Sequence, residues 1–275
     1  MRAVGRQRVE PNGERWKVTA LTVPMLSIDK VSRHFGGVLA VDDVSFDVPM
    51  GSLSALIGPN GAGKTTLFNA VTNLFPPTMG EVRYLGQPLI GLNGHSIAKL
   101  GLIRTFQSAR VFPGMTVLEN VMSGGHLHVR SRAIQQMFYT PAARTEERVL
   151  HDNARALLTL AGLGQFADAT ATDLPMGAQK TLEIARALMA RPRLLLLDEP
   201  AAGLNDTETA DIANFLSAIR DGGTTILVVE HNMSLVMGIA DQVIVLDAGR
   251  VIAKGSPAEI QSDPRVIEAY IGTED

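Results

Sequence analysis

Gly58-Pro59-Asn60-Gly61-Ala62-Gly63-Lys64-Thr65 satisfies every fixed position of the pattern G-x-x-x-x-G-K-[ST]. It follows an apolar run, Leu53 to Ile57, and leads into a helix-like stretch, Thr66 to Val71. Strand, glycine-rich loop and helix in that order make a cradle for polyphosphate, because successive N–H groups converge on phosphate oxygens at a helix N-terminus. On this reading Gly58, Pro59, Asn60, Gly61, Ala62, Gly63, Lys64, Thr65 and Thr66 surround the phosphate tail. Lys64 sets a positive charge beside the outer phosphates, and the Thr65 hydroxyl is placed to hold Mg²⁺. The competing reading is a glycine-rich turn without a ligand.

Composition narrows the remaining choices. The chain has 275 residues, 45% of them hydrophobic, enough for one large domain or one domain with an inserted lobe. A net charge of −3 provides no strong field for nucleic acid, so none is expected as a partner. With no cysteine, disulfides and thiolate metal sites are excluded. The longest apolar runs, such as Leu194 to Leu197, are far shorter than the roughly 20 residues a membrane helix needs. No apolar signal segment is expected at the N-terminus.

Residues 1–24 read as a solvated extension, with Arg2, Arg6, Arg8, Arg15 and Lys17 among Gly and Pro and no sustained period. From Met25 the pattern turns regular. Leu26 to Ile28, Val44 to Val48 and Glu81 to Leu85 read as strands at the front of an α/β core. Strand signals vanish from about 108 to 174. Thr145 to Ala161 is an amphipathic helix with Leu150, Ala154, Leu157, Leu158 and Ala161 on one face and Thr145 as its expected N-cap. This stretch is expected to be a helical lobe inserted between core segments 25–107 and 175–275. Strands and helices then alternate: Leu194 to Leu197, a helix Asp206 to Arg220, Thr224 to Val229, a hairpin around Asp247-Ala248-Gly249, and a short helix Pro264 to Ile271.

A second chemical signal is Leu194-Leu195-Leu196-Leu197-Asp198-Glu199, a buried strand delivering two carboxylates at the end where ligands sit in open α/β sheets. Asp198 suits Mg²⁺ ligation beside Thr65, and Glu199 can orient or deprotonate an attacking water. Phosphoryl transfer to water needs little more than charge compensation and a placed nucleophile. His231, after the strand Thr225 to Glu230, is placed to reach the same rim. Gln107, after Ile103-Arg104-Thr105-Phe106, offers an amide for Mg²⁺ or the water. His126-x-His128 lacks a third ligand nearby and reads as no metal site.

The phosphate loop, Gln107, Asp198-Glu199 and His231 stand in the order of an ABC-type ATPase. Leu174-Pro175-Met176-Gly177-Ala178-Gln179 stands where that family carries its signature motif. From Met25 to Asp275 the chain resembles the longer ATP-binding subunit of branched-chain amino acid importers, through Phe35-Gly36-Gly37-Val38-Leu39-Ala40-Val41, Arg104-Thr105-Phe106-Gln107, Pro200-Ala201-Ala202-Gly203-Leu204-Asn205 and Pro264-Arg265-Val266-Ile267-Glu268-Ala269-Tyr270. The resemblance implies a RecA-like P-loop NTPase core with an antiparallel β subdomain and an inserted helical subdomain. It implies ATP and Mg²⁺ as ligands, Phe35 stacked on adenine, and Gly177 facing the γ-phosphate held by a second ATPase subunit. The implied partners are that subunit, as homodimer or heterodimer, two transmembrane permease subunits, and indirectly an external solute-binding protein. The implied location is cytoplasmic, peripheral on the inner face of the membrane. Pro175, Met176 and Ala178 depart from the usual Ser, Gly and Gln, which bears on phosphate contacts between subunits. Relatives serving urea or amide import or lipopolysaccharide export share much of this text. A GTP switch is disfavoured by the lack of an N-K-x-D stretch. A soluble ABC protein is disfavoured by the single ATPase domain.

Overall fold

The computed structural model describes residues 23–105, 111–128 and 140–271. Two sheets organise them. The first, in order β2-β1-β4-β5, is antiparallel and comprises β1 (Leu26–Phe35), β2 (Val38–Val48), β4 (Met79–Tyr84) and β5 (Gln87–Pro88). The second runs β10-β9-β3-β8-β7-β6. Its strands β3 (Leu53–Ile57), β6 (Leu102–Arg104), β7 (Leu194–Asp198), β8 (Thr225–Val229) and β9 (Gln242–Asp247) are mutually parallel, and β10 (Arg250–Gly255) closes one edge antiparallel to β9.

Strands β3, β7 and β8 are buried at every position. A parallel sheet covered on both faces demands such unbroken apolar runs. Alternate side chains of one strand enter opposite cores, as period-2 geometry requires. Leu195, Leu197, Ile226 and Val228 join the core that holds the helical lobe. Leu194, Leu196, Leu227 and Val229 join the core under the antiparallel sheet and α1 (Lys64–Val71). Asp247-to-Arg250 pairing closes the hairpin of β9 and β10 around Ala248-Gly249, as the sequence indicated.

The first sheet departs from the sequence reading in length. β1 continues seven residues past Ile28, through register shifts between Ile28 and Arg33, with Lys30 at a φ of 49°. A bulge resets which residues face inward, so the apolar alternation breaks although the strand does not.

After α2 (Gly94–Lys99) and β6, the described part of the lobe holds α3 (Val117–Ser123) and α4 (Pro141–Leu160). The expected cap at Thr145 is corrected. The N-cap is Thr140, whose hydroxyl accepts from Ala143 N at 3.4 Å, with Pro141 in the first turn. Proline's fixed φ and missing N–H suit that position. Thr145 instead lies within the helix and donates its hydroxyl to Pro141 O at 2.9 Å. Ala154 and Leu158 of the expected face are fully buried. Helices α5 (Met176–Leu188), α6 (Asp206–Asp221), α7 (Met233–Ile239), α8 (Pro257–Gln261) and α9 (Pro264–Ile271) complete the chain. Among the described residues no helix is long and apolar enough to cross a membrane.

Candidate functional site

The sheet order brings the expected chemistry to one rim. β3 ends in the glycine-rich loop, and its neighbour β8 runs out into Glu230 and His231. Beyond β8, β7 ends in Asp198 and Glu199, and outermost β6 ends in Arg104. Four adjacent parallel strands thus release their C-terminal residues on the same edge, where open α/β sheets bind ligands.

In the loop, Lys64 folds back over its own backbone. Its ammonium donates to Gly58 O at 2.7 Å and to Pro59 O at 2.9 Å. Burial pushes the Lys64 pKa down, opposed by the negative charges of Glu199 and then Asp198. Asn60, Gly61 and Thr65 are exposed, and no side chain caps the start of α1. The loop is therefore open to an incoming anion.

Asp198 is 4% exposed. Its Oδ2 accepts from the Arg104 guanidinium at 2.8 Å, while its Oδ1 is buried without a hydrogen-bond partner. A buried carboxylate oxygen without a partner is a hard-oxygen donor, and it fits Mg²⁺, which takes one or two protein oxygens and completes its shell with phosphate and water. Glu199 adopts a φ of 51°, with its N–H bonded to Val229 O at 2.9 Å. A non-glycine residue in the left-handed region is uncommon and is held by its surroundings. His231 Nδ1 lies 3.9 Å from Glu199 Oε2.

Phe35 ends β1 and is half-exposed; the Arg33 guanidinium lies 4.7 Å from its ring centre, and the Phe75 ring meets it edge-on at 6.0 Å. One face of Phe35 is thereby backed by a cation. Gly177 lies in the first turn of α5, where a Cβ would come within 2.7 Å of Glu208 Oε1. A side chain there would displace the Glu208 side chain of α6. Gln107 lies outside the described residues.

Three charged residues of the rim escaped the sequence reading. Glu230 is fully buried and accepts from Ala201 N at 2.7 Å, His231 N at 3.0 Å and Asn232 N at 3.2 Å, so it ties the segments after β7 and β8 together. Lys180 of α5 donates to Ala202 O at 2.5 Å and Glu199 O at 3.3 Å, and burial lowers its pKa. Arg104 is the third. A charge flanking a wholly apolar strand was the available signal for Glu230 and Arg104; Lys180 gave none.

Residues 41–202 match the ABC transporter family, and residues 250–275 match the branched-chain amino acid ATP-binding cassette transporter family. The chain is 43% identical over 250 residues to the high-affinity branched-chain amino acid transport ATP-binding protein BraF of Pseudomonas aeruginosa, covering 90% of this chain and 98% of that one. Among solved structures it resembles the ADP conformation of an ABC transporter ATP-binding cassette, at 31% identity and a TM-score of 0.77 over 90% of this chain and 98% of that one. It also resembles a dimeric post-hydrolysis cassette bound to ADP and Pi, at 25% identity and a TM-score of 0.70 over 85% of this chain and 99% of that one.

Proposed function

The chain belongs to the ABC transporter family as an ATP-binding, ATP-hydrolysing domain, and we propose that it powers import of branched-chain or related amino acids through a membrane permease. The observation that carries the site reading is the rim itself: the glycine-rich loop with its uncapped helix start opens on the same sheet edge as Asp198, Glu199 and His231.

In this reading the triphosphate of ATP lies along Gly58 to Thr66, and Lys64 exchanges its two loop carbonyls for phosphate oxygens. Phe35 stacks on adenine with the face not covered by Arg33. Magnesium, which would be held by Thr65, Asp198 and Gln107, supplies compensation for negative charge on the phosphates. Glu199 orients the attacking water and takes its proton. The bond from the γ-phosphorus to the bridging oxygen breaks, leaving ADP and phosphate. His231, held beside Glu199, contacts the γ-phosphate. The open N-terminus of α5, with Gly177, faces the ATP of a second ATPase subunit, so two sites form at the closed dimer interface. Closure and reopening act on two permease subunits through the helical lobe at residues 108–174. A solute-binding protein delivers the amino acid outside, and this subunit sits peripherally on the inner membrane face. Residues 1–24 lie outside the ATPase domain.

The test is uptake by proteoliposomes containing the permease, its binding protein and this subunit. ATP-dependent accumulation of leucine or valine supports the reading. ATP turnover that drives urea, short amides or lipopolysaccharide instead assigns the subunit to those relatives and refutes the amino-acid assignment.

A further inference from the structure

Arg104 is the last residue of β6, the edge strand from which the chain leaves the core toward the helical lobe. It pairs in parallel register with Leu196, two residues before Asp198. Its guanidinium reaches three ways. Nη2 donates to Asp198 Oδ2 at 2.8 Å, Nη1 donates to Asn69 Oδ1 at 2.7 Å and to Thr72 Oγ1 at 3.3 Å, and the planar group lies 5.6 Å from the Phe68 ring centre. Asn69, Thr72 and Phe68 belong to α1 or its C-cap, the helix that begins at Lys64. One side chain therefore fixes the rim carboxylate, the phosphate-loop helix and the edge strand relative to one another.

We propose that Arg104 is a positioning residue that presents Asp198 Oδ1 to magnesium. The proposal rests on the reading of Asp198 given above. A free aspartate rotates about χ2 and exchanges its two oxygens. Here the guanidinium fork, itself anchored on α1, occupies Oδ2 and leaves Oδ1 as the oxygen without a partner. The two side chains are 19% and 3% exposed, so water does not compete effectively for the pair. Stability is a poor explanation for the arrangement. A buried ion pair is often no better than apolar residues of the same volume, and Arg104 Nε is buried without a partner, a further cost. Lysine cannot substitute, because a single ammonium cannot span Asn69 and Asp198 as a planar fork does.

The experiment measures AMP-PNP affinity at saturating Mg²⁺ and again in EDTA; the ratio of the two isolates the magnesium contribution from nucleotide binding. Arg104→Gln is expected to lower that ratio by about tenfold or more, as loss of an orienting partner does at metal sites, with the EDTA affinity within about twofold of the parent. Asp198→Asn lowers the ratio as well, and the double variant is no worse than Asp198→Asn alone, because both changes remove the same contact. Arg104→Lys lowers the ratio too, and it makes the comparison if Arg104→Gln does not fold, as judged by thermal melting. An unchanged ratio in the Arg104 variants, or effects that multiply in the double variant, overturns the proposal. If Asp198→Asn itself leaves the ratio unchanged, the magnesium reading of Asp198 has failed, and the positioning role falls with it. A loss of EDTA affinity equal to the loss with Mg²⁺ shows a merely structural brace.

Discussion

Replacing Gly58 by alanine tests whether the glycine-rich loop is dictated by its seat on the sheet as well as by its ligand. Gly58 has a φ of 149°, and a Cβ there would lie 1.9 Å from the carbonyl oxygen of Leu246. An ordinary C···O approach is about 3.3 Å, so one partner must move by about 1.4 Å. Leu246 cannot yield cheaply. It is fully buried in β9, whose register against β3 is fixed by the adjacent pair Ile57 and Val245. Overpacking of this kind costs about 1–3 kcal/mol, and the backbone conformation adds about 1–3 kcal/mol. Gly61→Ala is the control from the same loop. It carries backbone strain, with a φ of 81°, but its Cβ would meet nothing within 4 Å. Its cost is the left-handed penalty alone, about 1–2 kcal/mol. At about 2–4 °C per kcal/mol for a domain of this size, Gly58→Ala lowers the Tm by about 4–24 °C and Gly61→Ala by about 2–8 °C. Calorimetry on nucleotide-free protein measures both. Equal shifts, or the larger shift for Gly61→Ala, would refute the claim that β9 constrains the loop.

Lys64→Ala removes the one cation in the loop, and nucleotide affinity measured by calorimetric titration should fall by at least about tenfold, the worth of about 1.4 kcal/mol; unchanged affinity rules out the phosphate reading of Gly58 to Thr65. Glu199→Gln preserves shape but removes the proton acceptor, so phosphate release should drop about 10²–10⁴-fold while ATP still binds and holds a dimer visible by size-exclusion chromatography; parental turnover means another group handles the water. Glu119 and Glu259, which serve as capping-box carboxylates, and Asp263, which binds Arg265, all have pKa values lowered, chiefly by hydrogen bonds. Their contribution is present above the unfolded value of about 4 and is lost as pH falls through the lower folded values. Urea midpoints should therefore fall with acidification through this window, and the slope should flatten in a Glu119→Gln/Glu259→Gln variant; an unaltered slope excludes these caps as its source.

The parallel core was legible because its physics is local. Leu53 to Ile57, Leu194 to Leu197 and Thr225 to Val229 are buried on both faces, and their shortness together with what flanks them marks these apolar runs as strands. β1 was only partly legible, because the bulge around Lys30 reverses the inward face, and nothing in Asp29-Lys30 announces it. The start of α4 was misplaced because Thr145-Glu146-Glu147 imitates a first turn; Thr140-Pro141 is the stronger start, since proline cannot donate within the helix that follows. At the rim, the candidate residues Lys64, Asp198, Glu199 and His231 were readable from motif spacing, and the sheet brings their strands to one edge. The residues that hold them were not. Arg104, Lys180 and Glu230 act through partners up to 94 positions away, as Arg104 does on Asp198, and such pairing exists only once β6, β7 and β8 lie side by side.

The departures in Leu174 to Gln179 take on a different weight once the helix starts are compared. Asn93, Thr116, Thr140, Asn205, Asn232 and Ser256 each accept a backbone N–H at the start of α2, α3, α4, α6, α7 and α8. Asp263 Oδ1 accepts from Arg265 N at the start of α9. Helices α1 and α5 have no side-chain cap; Gly63 and Pro175 stand at their N-caps. A capping side chain is worth about 1 kcal/mol, and it satisfies the N–H groups that would otherwise meet an anion. Pro175 lacks a hydroxyl to offer phosphate, but for the same reason it does not block the donors of its own helix. The first turn of α5 thus has no capping side chain, as α1 has none, although the Glu208 carboxylate packs against Gly177 there. On the proposed reading, in which two subunits close head to tail with both starts facing one triphosphate, the substitution of Ser by Pro would remove one hydroxyl contact and leave the helix-terminus interaction available.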